Sequence, residues 1–166
     1  MALLAGVVAA APVAVSAADE VAGLRALQAL DARVATAGYR LAVAGAPYCD
    51  AATIQPGFAL HDLSQYAASA QADARAAFGL GDWPAVLAVV PDGPAARAGL
   101  RVGDEITAID GVPVPDADGT RSYARMAALA ERIEAASADG DLRLSLHRAG
   151  APLAIAIAPA RACPTR

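Results

Sequence analysis

Five side chains in this 166-residue sequence have the types and spacing to do chemistry: His61, Asp62 and Ser64 in the stretch HDLS, and the cysteines Cys49 and Cys163. A histidine beside a carboxylate with a hydroxyl close by suggests acid–base activation of a serine nucleophile. On an extended chain, however, successive side chains point to opposite faces, so three near neighbours do not converge on one bond. The HDLS stretch is therefore read as structural. Cys49 would need a histidine base to act as a nucleophile. His61 and His147 are the only histidines, and neither belongs to a cluster at metal-ligand spacing, so the sequence shows no zinc site. A disulfide between Cys49 and Cys163 competes directly with the nucleophile. In an exported protein such a pair suggests one bridge, worth roughly 4–5 kcal/mol in the chain-entropy account of so long a loop. Two unrelated thiols are the alternative.

The net charge is −4, with no run of like charges, which sets nucleic acid aside. All 13 basic residues are arginine. The absence of lysine removes the P-loop lysine, the Schiff-base lysine and the Ser–Lys dyad together. Hydrophobic residues make up 57% and aromatics only 4%, so Ala, Val, Leu and Ile must build the core. The length suits one domain with an appended element. No catalytic motif and no cofactor fingerprint emerges, and the chain is read as non-enzymatic.

The elements that would hold these residues follow from patterning. Residues 1–17 carry no charged side chain and end in Val15-Ser16-Ala17, like an export signal cleaved after Ala17. An uncleaved inner-membrane anchor and a buried apolar helix are the other readings; the expected location is the periplasm. Leu24, Leu27, Leu30 and Val34 recur at helical spacing in 21–36, which Gly38 should end, and Tyr39, Leu41 and Val43 alternate like a short strand. GFALHDL (57–63) reads as a strand, 67–78 as a helix stopped by Gly79, and PAVLAVV (84–90) as a strand. In PDGPAARAGLRVGDEITAIDGVPV (91–114) Pro94 starts one helical turn, Gly99 ends it, EITAI is a strand and Asp110-Gly111 a turn. Residues 121–136 return to helical spacing through Tyr123, Met126, Ala130 and Ile133. Two alternating strands, LRLSLH and LAIAI, close the fold.

This order of elements, with PDGPAARAGL, GDEI and IDG at the turns, resembles a PDZ domain of the bacterial HtrA-like kind. The likeness runs from Pro56 to Ala158. It implies an α+β fold, a small antiparallel β-barrel or sandwich capped by helices, with an N-terminal helix added. The domain plan is then 1–17 signal or anchor, 18–55 helix, short strand and loop, 56–160 PDZ-like domain, and 161–166 tail. The resemblance also implies peptide capture by strand addition, an extended or C-terminal segment adding to the edge of 58–63. Gly57, Phe58 and Ala59 would present backbone N–H groups to a terminal carboxylate, a nest that needs no lysine. Leu60, His61 and Leu63 would continue the groove, and Tyr123, Met126, Ala127 and Ala130 are candidates for its helical wall. The pattern departs from a Gly-Leu-Gly-Phe loop, reading Pro-Gly-Phe-Ala. LRALQALDARVATAGYRLA, HDLSQY and CPTR are similar to the amino-terminal region of PDZ-bearing HtpX-like zinc metallopeptidases, but no H-E-x-x-H occurs. The implied partners are peptide or protein C-termini, a protease, or a secretion or envelope complex.

Overall fold

The computed structural model describes residues 16–117 and 123–164. Helix α1 runs from Ala17 to Gly45, entered through a capping box in which the Ser16 hydroxyl accepts from the Asp19 amide and the Asp19 carboxylate accepts from Ser16. The helix does not stop at Gly38, and 39–43 form no strand. Tyr39 and Ala42 continue the side already turned inward by Gln28 and Ala35, and packing that side outweighs the roughly 1 kcal/mol that a mid-helix glycine costs. Leu41, which an alternating strand would have buried, is 75% exposed. The proposed cleavage point follows the first residue of α1, and residues 1–15 of the signal reading lie outside the described residues. No described helix is long and apolar enough to cross a membrane.

The remaining strands and α-helices are β1 (Thr53–Gln55), β2 (Phe58–His61), α2 (Gln71–Phe78), β3 (Ala85–Val89), α3 (Pro94–Arg97), β4 (Glu105–Ile109), β5 (Val112–Pro113), α4 (Ala124–Ala138), β6 (Leu142–Arg148), β7 (Ala151–Ile157) and β8 (Ala160–Ala162). The expected turns occur where the residues demand them: Gly79 ends α2 with φ of 69°, and Gly99, after α3, has φ of 85°.

The main sheet is antiparallel in the order β2-β3-β4-β6-β7, with β5 added to β4. The expected barrel does not close: β2 and β7 are the two ends of the sheet and do not pair with each other among the described residues. Instead β1 and β8 leave to form a separate two-stranded sheet, Thr53 opposite Ala162, so the stretch read as a tail begins inside a strand. Leu142, Leu144 and Leu146, which alternate along β6, and Ile106 and Ile109, which flank a register irregularity in β4, meet Val86, Leu100, Leu129 and Ile157 in one core. A second, smaller core of Ala74, Leu80 and Ala85 joins α2 to β3, with Leu63, Tyr66 and Phe78 packed on it.

Candidate functional site

Among the described residues, strand β2 is hydrogen-bonded on one side only. It pairs with β3 from Phe58↔Val89 to His61↔Ala85, with an irregularity between Ala59 and Leu60, and its other margin faces α4. Between them lies a cleft of about 700 Å³. Phe58, Ala59 and Leu60 form one wall, Met126, Ala130, Ile133, Glu134 and Ala138 the other, and residues 51–56 with Pro164 close one end. The walls are apolar, and Glu134 is the single ionisable side chain among the described residues that line it.

Each wall is held by identifiable contacts. Gly57, which leads into β2, sits at φ of 82°, a conformation that favours glycine. A Cβ there would lie 3.3 Å from Pro94 Cδ and 3.4 Å from Tyr39 Cε2, so α1 and α3 both press on this loop. The Val90 amide donates to the Gly57 carbonyl (2.9 Å) and the Ala95 amide to the Pro56 carbonyl (3.0 Å), which pins the backbone from behind.

Helix α4 is anchored through Arg125. Its Nη1 lies 2.6 Å from Asp62 Oδ2, and both Nη1 and Nη2 donate to the Asp82 carbonyl at 3.1 Å. Both partners of the ion pair are buried, with side-chain exposures of 9% and 2%. Leu129, one turn on, is fully buried in the main core, and Arg132 reaches the Pro113 carbonyl at 2.9 Å. These ties on the inner side of α4 leave Met126, Ala130 and Ile133, at i, i+4 and i+7, along the cleft.

The cleft end is tied covalently. Cys49 and Cys163 form a disulfide with Cα atoms 5.8 Å apart, joining the segment after α1 to the segment after β8. The Cys163 amide donates to the Ala42 carbonyl of α1 at 2.8 Å. The cleft-lining residues Ala51 and Ala52 thus lie two and three positions after one bridged cysteine, and Pro164 directly follows the other.

Of the residues the sequence singles out, Phe58, Ala59, Leu60, Met126 and Ala130 come together in the cleft. Gly57 shapes its loop. His61 and Leu63 turn the other way, toward the smaller core, where the His61 ring lies edge-on to Phe78 with centroids 5.0 Å apart and its Nδ1 lies 3.2 Å from the Tyr66 hydroxyl. Burial pushes the His61 pKa down to about 4, against the pull of the neighbouring Asp62 carboxylate. Asp62 is committed to Arg125 and to the Ser64 amide (2.8 Å), so His61, Asp62 and Ser64 assemble no catalytic triad. Tyr123 caps α4 and is 59% exposed, and Ala127 is exposed but is not among the residues that line the cleft. Ile133, Glu134 and Ala138 were not among the sequence candidates. Ile133 continues the spacing of Met126 and Ala130 and was within reach of that pattern. The contribution of 51–55 and Pro164 depends on β1–β8 pairing across the whole chain and left no local signal.

A sheet with one open margin facing a helix across an apolar cleft defines a module able to take an added strand. Comparison with known proteins gives the class its name. The PDZ domain family matches residues 86–139, from β3 through α4, and the chain carries a PDZ domain. A Synechocystis sp. protein named as a serine protease, HhoA, is 41% identical over 61 residues, which is 37% of this chain and 16% of that protein, so the match spans about a sixth of the relative's length. A crystal structure of the HtrA3 PDZ domain bound to a phage-derived ligand, FGRWV, is 22% identical over 67% of this chain and 89% of that one, with a TM-score of 0.48. Strand β2 lies outside the matched family segment, whereas α4 lies within it.

Proposed function

We propose that the cleft between β2 and α4 captures extended peptide segments, C-terminal ones included, by adding them as a further strand to β2. The observation that carries this reading is the unpaired margin of β2 held open opposite α4. Main-chain hydrogen bonds to the margin supply affinity and the pockets along α4 supply selectivity. The small side chains of Ala59, Ala130 and Ala138 leave room for bulky apolar ligand side chains. A terminal carboxylate finds no cation among the lining residues, so it rests on the backbone N–H groups at Gly57, Phe58 and Ala59. This chain's own role is binding, in the service of a protease or of an envelope or secretion complex. Titrating the protein with a short apolar peptide bearing a free C-terminus, its C-terminal amide and an internal version tests the reading. Saturable binding is expected, strongest for the free C-terminus; no binding of any of the three refutes it.

The disulfide supports an oxidising compartment, and we propose the periplasm as the location. Quantitative thiol labelling of the protein extracted under denaturing, non-reducing conditions checks this, with no free thiol expected. A second reading, the regulatory part of a PDZ-bearing zinc metallopeptidase, draws on the flanking segments. Here α1 packs against α2, β3 and β8, so these segments are built into the domain. An H-E-x-x-H continuing in the same reading frame would support it, and a frame without that motif would remove it.

A further inference from the structure

Helix α1 has two faces of opposite character. Its inner face is tied down: Gln28 donates to the Leu87 carbonyl (3.0 Å), Tyr39 abuts Gly57, and Ala42 is 5% exposed. On the other side Leu27, Leu30, Val34, Ala37, Leu41 and Ala44 form a second stripe, and its large members are 54%, 53%, 73% and 75% exposed at Leu27, Leu30, Val34 and Leu41. The intervals are 3, 4, 3, 4 and 3 residues throughout. That is the narrow apolar seam of a coiled coil, with Leu27, Val34 and Leu41 at a and Leu30, Ala37 and Ala44 at d, rather than the broader stripe of a helix lying on a globular core. Such a seam fits another helix with the same repeat.

We infer that α1 pairs with α1 of a second copy of this chain, in parallel and in register. The flanking charges select this orientation. Arg33 and Arg40 occupy g positions and Asp31, Gly38 and Gly45 occupy e positions. A parallel pair sets Arg33 against Gly38 of the partner copy and Arg40 against Gly45, with no like charges facing. An antiparallel pair that matches the same apolar layers sets Arg33 against Arg40 twice, an unfavourable contact. The seam lies opposite the face that α1 turns to its own domain, so the two domains sit on the outer sides of the pair. No α1 residue lines the β2–α4 cleft, so each copy keeps its cleft and the pair presents two. Two clefts on one particle raise the effective concentration for a ligand offering two segments.

Sedimentation equilibrium of the full, disulfide-intact chain from micromolar to submillimolar concentration tests the inference. A reversible monomer–dimer equilibrium is expected. Leu30→Glu with Leu41→Glu should weaken it by about 100-fold or more, leaving the unfolding midpoint of the monomer unchanged. A monomer at every concentration overturns the proposal, as does a dimer indifferent to those substitutions. Should the double variant fail to fold, single cysteines decide. Val34→Cys should cross-link two copies under mild oxidation and Ala29→Cys, away from the seam, should not; the reverse pattern, or no cross-link in either, refutes parallel pairing.

Discussion

Among the described residues the main sheet ends at β2 and at β7, and the two margins differ in what lies beside them. Strand β7 is the longer, pairing with β6 over the whole run from Arg148↔Ala151 to Leu142↔Ile157, and none of its residues lines the β2–α4 cleft. It exposes alanines and Pro152, which has no N–H to offer an incoming strand. Strand β2 is only four residues long, but α4 stands across from its margin and Arg125 holds that helix in place. An unpaired edge is therefore not enough to make a binding site. A second wall at the right distance turns an edge into a groove, and the machinery that fixes the wall is part of the site.

Perturbations can separate the two margins, beginning with those of largest effect. Replacing Cys49 and Cys163 by serine should lower unfolding free energy by about 4–5 kcal/mol, since the bridge spans 114 residues. Denaturant titration measures this, and peptide binding at low temperature should suffer with it because the cleft end loses its tie. Asp62→Ala strands the buried Arg125 charge and should cost about 3–5 kcal/mol. Asp62→Leu combined with Arg125→Met should recover most of that stability in the same denaturation assay.

The response to pH should come next in size. Folded His61 has its pKa lowered from 6.5 to about 4, so the unfolded chain takes up its proton first. Stability from this residue is complete above the unfolded value and falls as pH drops from about 6.5 to 4, by on the order of 2–3 kcal/mol. Comparing unfolding at pH 7 and pH 4.5 for the native chain and for His61→Gln isolates the effect; the variant should show the shallower decline. The smallest change in free energy should be the most selective. Ala130→Trp fills the cleft from α4 and should weaken peptide binding by about tenfold or more, roughly 1.4 kcal/mol. Ala154→Trp on β7 should leave binding unchanged.

Local patterns in the sequence carried most of the domain. Alternation in LRLSLH and LAIAI matched β6 and β7, and the glycines and prolines of 91–111 fell at the turns around α3 and β4. What depended on distant contacts was not legible. The last turns of α1 looked like a strand because Tyr39, Leu41 and Val43 alternate, and only the packing of Tyr39 and Ala42 decides for helix. Barrel closure could not be judged from strands whose order is set by pairing. Of the residues singled out on the β2 side, Phe58, Ala59 and Leu60 line the cleft. The pairing of Asp62 with Arg125, 63 positions apart, turned an apparent acid–base motif into a structural clamp that no spacing rule could anticipate.

The central claim concerns which margin receives a strand, and nuclear Overhauser contacts between labelled protein and an unlabelled C-terminal peptide test it most directly. Cross-strand contacts from the peptide backbone to Phe58–His61, accompanied by side-chain contacts to Met126, Ala130 and Ile133, are the predicted result. Contacts to Ala151–Ile157 instead, or saturable binding that leaves the β2 amides undisturbed, would contradict the account.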